Sequence, residues 1–269
     1  MVKISAIIVA RNEEKLLPKT LDSLVNQTLK LHKIILVDDG SIDKTAEIAK
    51  KYGCIVIKLP YHEESYVGRP ELAERFNRGL ELIDEEDYVL IMGADHVLPK
   101  NYVEEIVKKM EADPSLVIAG GHIKGESYDE TAVRGSGRVV RVSFWKKVNG
   151  LRYPVCWGWE SWLIFKAMQL GYKVRCFREI TSIVLRKTSL RKAGYYGKAM
   201  YALGYDWKYA LGRSLITFIH SPREGLKMLW NYLTHKDVKR LDIASYVRNL
   251  QTQFFWKKVK HIILRRGAI

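Results

Sequence analysis

Short apolar runs alternate with segments of helical periodicity through the first hundred residues, and this alternation constrains the fold more than any other feature. Ile4 to Val9 and Lys33 to Val37 are runs rich in the β-branched residues that suit buried strands. Between them, from Leu16 to Val25, apolar residues recur at the spacing of one helix face. A strand, a helix and a second strand in this order predict a βαβ unit with parallel strands.

The same order of elements continues after the second strand. The predicted elements are a helix capped by Ser41 or Asp43 and ending at Lys51, a strand from Cys54 to Leu59, a helix from Leu72 to Ile83, and a strand from Tyr88 to Met92. The pattern predicts an α/β fold, with a doubly wound sheet flanked by helices. Ligands of such sheets bind beyond the carboxyl ends of the strands. The segments expected to form a site are Ala10 to Glu13, Asp38 to Ser41 and Gly93 to His96.

Five short segments follow one another in a specific order. They are Ala10-Arg11-Asn12-Glu13-Glu14, the helix from Leu21 to Gln27, the turn from Val37 to Ser41, Asn77-Arg78-Gly79, and the segment around Asp95. Together they resemble the nucleotide-sugar half of a family 2 glycosyltransferase, over roughly residues 3 to 185. The resemblance implies the GT-A fold, a Rossmann-like mixed sheet flanked by helices. It also implies an inverting glycosyltransferase that uses a nucleotide-diphosphate-sugar donor.

The resemblance implies a set of residues for the donor site. Ala10, Asn12, Glu13, Asp38 and Asp39 would line the pocket for uridine or guanosine, with Asp39 accepting from a base or ribose group. A further implication is that Arg69 or Arg75 approaches the nucleotide and that Asp95 contributes to donor binding. For Asp38 or Ser41 taken alone, a helix cap and a turn are the preferred interpretation.

The family also implies a divalent cation, Mg²⁺ or Mn²⁺, held on the donor diphosphate by a DxD motif. Hard cations prefer oxygen ligands, and they neutralise charge on the leaving group. In this sequence Gly93 occupies the first position of the motif, so that Asp95 is the only carboxylate left. His96 follows directly and is a second candidate ligand, although a lone histidine is more often structural.

A tryptophan-rich segment resembles the acceptor half of the family. Counting back from Gly171 in Gly-Tyr-Lys places Glu160 where the family has its catalytic Asp. A glutamate has the same acid chemistry, so it is predicted to act as the general base. The neighbouring tryptophans are candidates for stacking on an acceptor, or alternatively are plain core; they are Trp157, Trp159 and Trp162.

Charge divides the chain unevenly. From Arg186 to the end there are 18 Lys and Arg against 4 Asp and Glu, whereas the first 185 residues are close to neutral. This change predicts a catalytic domain over 1–185 and a basic, aromatic-rich helical region over 186–269. In that region an amphipathic pattern runs from Ile243 to Ile263, which is typical of a helix lying on an anionic membrane surface or packed on the catalytic domain.

Two other classes of protein remain as alternatives. A nucleic-acid-binding protein explains the basic region but leaves the five ordered segments unexplained, so no nucleic-acid partner is expected. A nucleotidyltransferase is a weaker alternative, because no glycine-rich phosphate loop follows the first strand.

The three cysteines show no CxxC spacing, and no secretory signal is visible. The expected location is cytoplasmic, with peripheral association at the inner face of the cell membrane. The expected acceptor is a saccharide or a lipid-linked molecule.

Overall fold

An eight-stranded mixed sheet is the centre of the computed structural model, which describes residues 2–186, 190–235 and 237–252. Its strands are β1 (Ile4–Ala10), β2 (Ile34–Asp38), β3 (Ile55–Lys58), β4 (Tyr88–Gly93), β5 (His96–Val97), β6 (Leu116–Ile123), β7 (Arg138–Arg141) and β8 (Lys173–Val184). Their order across the sheet is β3-β2-β1-β4-β7-β6-β8-β5. The first four strands are parallel, β7 is antiparallel to β4 and β6, and β5 is antiparallel to β8. The predicted α/β fold with a mixed sheet is confirmed.

The parallel half of the sheet brings three strand ends together. Ala10 lies opposite Asp38 in the pairing of β1 with β2. Val9 lies opposite Gly93 in the pairing of β1 with β4. Because parallel strands end at the same edge, the segments that follow β1, β2 and β4 begin side by side.

Helices cover this sheet and form the first of two units. The unit comprises the described parts of Met1–Tyr66, Glu71–Val155 and Leu170–Thr188. Its helices are α1 (Leu17–Val25), α2 (Thr45–Lys51), α3 (Glu71–Leu80), α4 (Tyr102–Ala112) and α5 (Val142–Asn149). The prediction that Ser41 or Asp43 caps α2 is wrong, because the helix begins at Thr45 with Lys44 at its N-cap position. Asp43 Oδ1 instead accepts from Thr45 N at 3.0 Å in the turn before the helix. Buried aliphatic side chains of β1, β4 and α4 meet in one core cluster.

The second unit is helical and comprises Val67–Pro70, Cys156–Gln169 and the described part of Ser189–Ile269. Its helices are α6 (Trp159–Gln169), a 3-10 helix (Leu190–Tyr195), α7 (Tyr196–Ala202), α8 (Trp207–His220) and α9 (Pro222–Leu233), followed by helical residues from 244 to 252. The amphipathic pattern predicted to Ile263 continues beyond residue 252, outside the described residues. Within the described ranges, none of the helices has the length and apolar character needed to cross a bilayer.

The packing around Asn77 and Gly79 of α3 explains why these two residue types occur in this segment. The Asn77 amide donates to Tyr153 O at 2.9 Å and accepts from Tyr153 N at 2.7 Å, both in the buried interior. A Cβ added at Gly79 would lie 2.6 Å from Ile7 Cγ2 of β1. The glycine therefore lets α3 pack closely on the strand that leads into the candidate site.

Substituting Gly79→Ala is expected to lower the free energy of unfolding by about 1–3 kcal/mol, because the added methyl group overlaps Ile7. Urea denaturation of the wild type and the variant measures this difference. The matched control is Gly212→Ala in α8, where a Cβ would meet nothing within 4 Å. That variant should be neutral or slightly stabilising, since alanine favours helix over glycine. Equal losses at both positions would show that the close packing of α3 on β1 is not the cause.

Candidate active site

The segment after β1 is joined to the segment after β2 by side-chain to backbone hydrogen bonds. Asn12 has a φ of 55°, a left-handed conformation that asparagine tolerates better than most residues. Its backbone N–H donates to Ser41 Oγ at 2.9 Å, and its side-chain oxygen accepts from Ile42 N at 2.9 Å. Glu13 N donates to Thr45 Oγ1 at 2.8 Å. Both segments are therefore held in one fixed arrangement beside Ala10.

Asp38 is fully buried at the end of β2, and its two carboxylate oxygens differ. Oδ1 accepts from Ser41 N at 3.0 Å and closes the turn. Oδ2 has no hydrogen-bond partner among the described residues, so it is an acceptor open to a donor group from a ligand or to water. The turn also needs Gly40, which has a φ of 72° and whose added Cβ would lie 2.6 Å from Pro60 O.

Asp39 lies under a cluster of polar and aromatic side chains. Arg75 of α3 donates from Nε to Asp39 Oδ1 at 2.9 Å, and His62 Nε2 lies 3.0 Å from the same oxygen. The His62 ring stacks on Tyr66 with centroids 4.1 Å apart, and the Arg75 guanidinium lies 4.4 Å from the Tyr66 centroid. Arg11 NH1 is 2.9 Å from His62 Nδ1. Of the two arginines predicted near the nucleotide, Arg75 therefore contacts Asp39.

Arg69 belongs to the second unit. There its backbone carbonyl accepts from the Trp159 indole at 3.2 Å. Its role in donor binding stays a prediction.

Glu13 and Asp95 both lie near the guanidinium of Arg186. Arg186 donates to Glu13 Oε2 at 2.6 Å. This hydrogen bond raises the pKa of Arg186, and the negative charge of Asp95 acts in the same direction. Asp95 follows β4, its backbone carbonyl accepts from Leu185 N at 2.8 Å, and its side chain is partly exposed. Two carboxylates and one guanidinium thus meet at the carboxyl edge of the sheet.

The surroundings of Gly93 and His96 bear on the expected cation. A Cβ at Gly93 would lie 3.2 Å from Asp95 Oδ1, which is a tight contact, and 3.4 Å from Ser136 Oγ, which is an ordinary one. His96 is buried, and its ring nitrogens lie 2.6 Å from Ser136 Oγ and 2.8 Å from Ser182 Oγ. Burial, helped by the positive charge of Arg134, lowers the pKa of His96 to about 4. These contacts favour a structural role for His96 over the predicted role as a metal ligand.

Asp95 could serve as the protein ligand of a cation whose other ligands are mainly phosphate oxygens of the donor. No hydrogen bond to another described residue occupies its carboxylate. A cage made by the protein alone does not fit, because no three His, Cys, Asp or Glu side chains cluster suitably within the described ranges. Mg²⁺ is often held by one or two carboxylates together with substrate phosphates.

Glu160 lies in the first turn of α6, in the second unit. The helix follows Gly158, which has a φ of 82° and whose added Cβ would lie 2.8 Å from Leu203 Cγ. Glycine is therefore required at this turn, and the turn sets where α6 starts.

The three tryptophans of this segment have different environments. Trp159 and Trp162 are buried, and the Trp162 indole donates to Asp242 Oδ1 at 2.7 Å. Asp242 Oδ2 also pairs with Lys166 at 2.6 Å. Trp157 is half-buried beside Tyr195, with ring centroids 5.6 Å apart. The burial of Trp159 and Trp162 favours the core alternative for these two, and Trp157 remains the candidate for contact with an acceptor.

Sequence reasoning missed His62, Tyr66 and Arg186. The first two lie in the long connection between β3 and α3, whose length and aromatic content are the only sequence signals for a functional loop. The charge pattern places Arg186 in the basic region, whereas the structure places it in the first unit beside Glu13. A charge count along the chain does not detect such a pairing because the two residues are far apart in sequence.

The comparison with known proteins identifies a family. The model of the family described as Glycosyl transferase family 2 matches residues 5–173. Glycosyltransferase GlyA of Streptococcus pneumoniae serotype 4 is 27% identical over 221 residues, which are 80% of this chain and 30% of GlyA. Cholesterol galactosyltransferase of Borreliella burgdorferi is 32% identical over 116 residues, which are 43% of this chain and 31% of that protein. The chain thus covers less than a third of the length of either relative.

Solved structures show the same fold. A mannosyltransferase from Pyrobaculum calidifontis, in complex with GDP-Man and Mn²⁺, has a TM-score of 0.60 at 14% identity. The match covers 96% of this chain and 82% of the mannosyltransferase chain. S. aureus TarS 1–349 in complex with UDP-GlcNAc has a TM-score of 0.56 at 16% identity and covers 87% of this chain and 72% of its own. These neighbours have the GT-A fold, and the predicted fold class is confirmed.

Proposed function

The chain belongs to glycosyl transferase family 2, and from that membership we propose that it is an inverting glycosyltransferase. It moves a sugar from a nucleoside diphosphate sugar to a hydroxyl or phosphate acceptor at a membrane surface. The observation that carries the proposal is the edge of the sheet at which Ala10, Asp38 and Gly93 lie on neighbouring strands. The ligands named for the two solved neighbours, GDP-Man and UDP-GlcNAc, support a nucleotide-sugar donor.

In the proposed donor site, the base or ribose donates hydrogen bonds to Asp39, and the buried oxygen of Asp38 is a second acceptor. Asn12 and Glu13 hold the neighbouring backbone in place through Ser41 and Thr45. Arg186 supplies a positive charge next to Asp95, where the diphosphate would lie. This arrangement places hydrogen-bond acceptors beside the base and a positive charge beside the phosphates.

In the proposed reaction, an acceptor oxygen forms a bond to the anomeric carbon while the bond from that carbon to the diphosphate oxygen breaks. The nucleoside diphosphate leaves with the bonding electrons, and the anomeric configuration is inverted. Glu160 takes the proton of a hydroxyl acceptor. A phosphate acceptor needs no proton removed, so Glu160 is dispensable for that chemistry.

A divalent cation, when bound, neutralises negative charge on the leaving diphosphate. Asp95 is the residue proposed to hold it. The Mn²⁺ in the complex of the mannosyltransferase neighbour supports this proposal.

Substituting Asp95→Ala is expected to abolish the gain in donor affinity that manganese gives to the wild type. The fold should remain intact, since a partly exposed carboxylate after a strand has little packing to lose. Calorimetry with a nucleotide sugar, in manganese and then in a chelator, measures the gain. Asp22→Ala on the exposed face of α1 is the matched control. A wild type that ignores the chelator would remove the cation from the mechanism.

The membrane part of the proposal concerns the acceptor. Residues 186–269 carry 18 Lys and Arg against 4 Asp and Glu, which suits an anionic lipid surface. The name of one relative, cholesterol galactosyltransferase, supports an acceptor of lipid character. The proposed location is the inner face of the cell membrane, with peripheral attachment.

A ligand screen tests the proposed function. UDP, GDP and their sugar conjugates are added with manganese, and the unfolding temperature is measured, followed by assays of sugar hydrolysis and transfer. At least one nucleotide should stabilise the protein, because a ligand that binds only the folded state adds to its stability. Steep salt-dependent binding to oligonucleotides without a response to any nucleotide sugar would favour the nucleic-acid alternative instead.

A further inference from the structure

Helices α8 and α9 expose large apolar side chains to solvent. Leu215, Ile216 and Ile219 of α8 are each more than half exposed. So are Leu226, Trp230 and Leu233 of α9, which recur at positions i, i+4 and i+7 and therefore share one face. Large exposed apolar surfaces on soluble proteins commonly mark interaction sites.

The opposite faces of the two helices are already used for packing. Ala210 of α8 and Met228 and Tyr232 of α9 enter the same buried cluster. A Cβ at Gly225 would lie 2.5 Å from the Phe218 backbone, so α8 and α9 pack closely as one hairpin. The exposed apolar residues thus face away from the cluster that holds the hairpin together.

The exposed charge of this hairpin, residues 207 to 233, is entirely positive. Lys208, Arg213 and Arg223 are exposed, and Lys227 is partly exposed. Glu224, the single acidic residue in the range, is buried and accepts from Gly194 N at 2.8 Å. Cations beside an apolar face are typical of helices that lie in the interface of an anionic bilayer.

The outer face of α9 also presents a shallow, open and mostly apolar depression. It is lined by Arg223, Leu226, Lys227, Leu229, Trp230 and Leu233. Its apolar lining suits a hydrocarbon chain, and its two cations suit an anionic headgroup next to that chain.

We propose that the α8–α9 hairpin is the surface by which the protein docks on an anionic lipid bilayer. The inference rests on the membrane part of the proposed function and names the residues that perform it. The apolar side chains enter the interface, while the Lys and Arg side chains contact anionic headgroups.

Charge argues against the other occupants of this surface. The segment from 253 to 269 carries five Lys and Arg and no acidic residue, so it would bring positive charge against positive charge. A second copy of the hairpin would do the same. A nucleic acid would satisfy the cations but leave six large apolar side chains in water.

Sedimentation of the full chain with vesicles tests the inference. The wild type should bind vesicles of equal parts phosphatidylcholine and phosphatidylglycerol at low salt, and bind pure phosphatidylcholine much less. A triple variant, Ile219→Ser, Leu226→Ser and Trp230→Ser, should bind the anionic vesicles about tenfold or more weakly, because it loses three exposed apolar side chains that would enter the bilayer. The matched control replaces three exposed apolar residues of the first unit, Ile55→Ser, Leu82→Ser and Leu170→Ser, and should bind like the wild type.

Two further variants separate the contributions to binding. Arg213→Gln with Arg223→Gln should weaken binding at low salt and flatten its salt dependence, since fewer charges interact with the headgroups. A chain that ends before Phe254 retains the hairpin, so it should still bind anionic vesicles.

The outcomes distinguish this inference from the proposed function. Equal vesicle binding by the hairpin triple variant and the wild type overturns the inference, as does a wild type that ignores anionic vesicles at low salt. A wild-type dimer in light scattering that becomes a monomer in the triple variant, with vesicle binding unchanged, assigns the face to a second copy. Calorimetry with UDP and GDP in the absence of lipid tests the donor site separately. Loss of vesicle binding with normal nucleotide affinity supports the inference.

Discussion

Substituting Glu160→Gln is expected to lower the rate of transfer to a hydroxyl acceptor by about 10²-fold or more. The amide keeps the shape and the hydrogen-bonding reach of the side chain but cannot take a proton at the pH of the reaction. Donor affinity should barely change, because the proposed role of Glu160 begins when the acceptor attacks. Steady-state transfer assays and donor calorimetry on the same preparations separate the two effects.

The control for this experiment is Glu105→Gln, which changes a glutamate in the first turn of α4. It removes a negative charge from the first turn of another helix, so it reports any general effect of losing such a charge. Full turnover by the Glu160 variant would place the base elsewhere or indicate a phosphate acceptor. A phosphate acceptor would also make the rate insensitive to the substitution across the pH range.

The second large effect is expected at Asp39. Substituting Asp39→Ala should weaken nucleotide binding by about 10- to 100-fold, because donor groups of the base or ribose would be buried without an acceptor. The substitution also removes the partner of Arg75 Nε. Calorimetry with UDP and GDP measures the affinity, and urea denaturation reports any loss of stability that accompanies it.

Asp22→Ala, an exposed aspartate of α1 in the same unit, serves as the control for Asp39. It should bind nucleotides as the wild type does. Unchanged affinity of the Asp39 variant for every nucleotide tested would remove Asp39 from the site. Selective loss of UDP or of GDP binding would instead reveal which base the residue contacts.

The sheet was predictable because its signals are local. Buried parallel strands such as β1 and β4 have short apolar runs, and α1 has a clear helical period. The meeting of Ala10, Asp38 and Gly93 at one edge follows from the parallel order of the strands alone. The close approach of α3 to β1 at Gly79 is consistent with the motif that first suggested the family.

Other features depend on contacts between distant parts of the chain. The pairing of Arg186 with Glu13 joins residues 173 positions apart, and the stacking of His62 on Tyr66 depends on the path of one loop. The buried Trp162 indole has Asp242 as its hydrogen-bond acceptor, and no local sequence pattern predicts that partner. The division of the chain at 185 and 186, and the helical region predicted from its charge, stay predictions.

If the nucleotide binds Asp39 as proposed, the existing contacts of this carboxylate make binding an exchange reaction. Oδ1 already accepts from Arg75 and lies close to His62, so a base that binds this oxygen would compete with side chains of the protein. The measured affinity is then the intrinsic affinity reduced by the fraction of molecules in which that oxygen is accessible. A free base or nucleoside offers few contacts to offset this competition, whereas a complete nucleotide sugar adds its phosphates and its sugar. The site would therefore select against fragments of its own donor, which abound wherever nucleotide sugars are consumed.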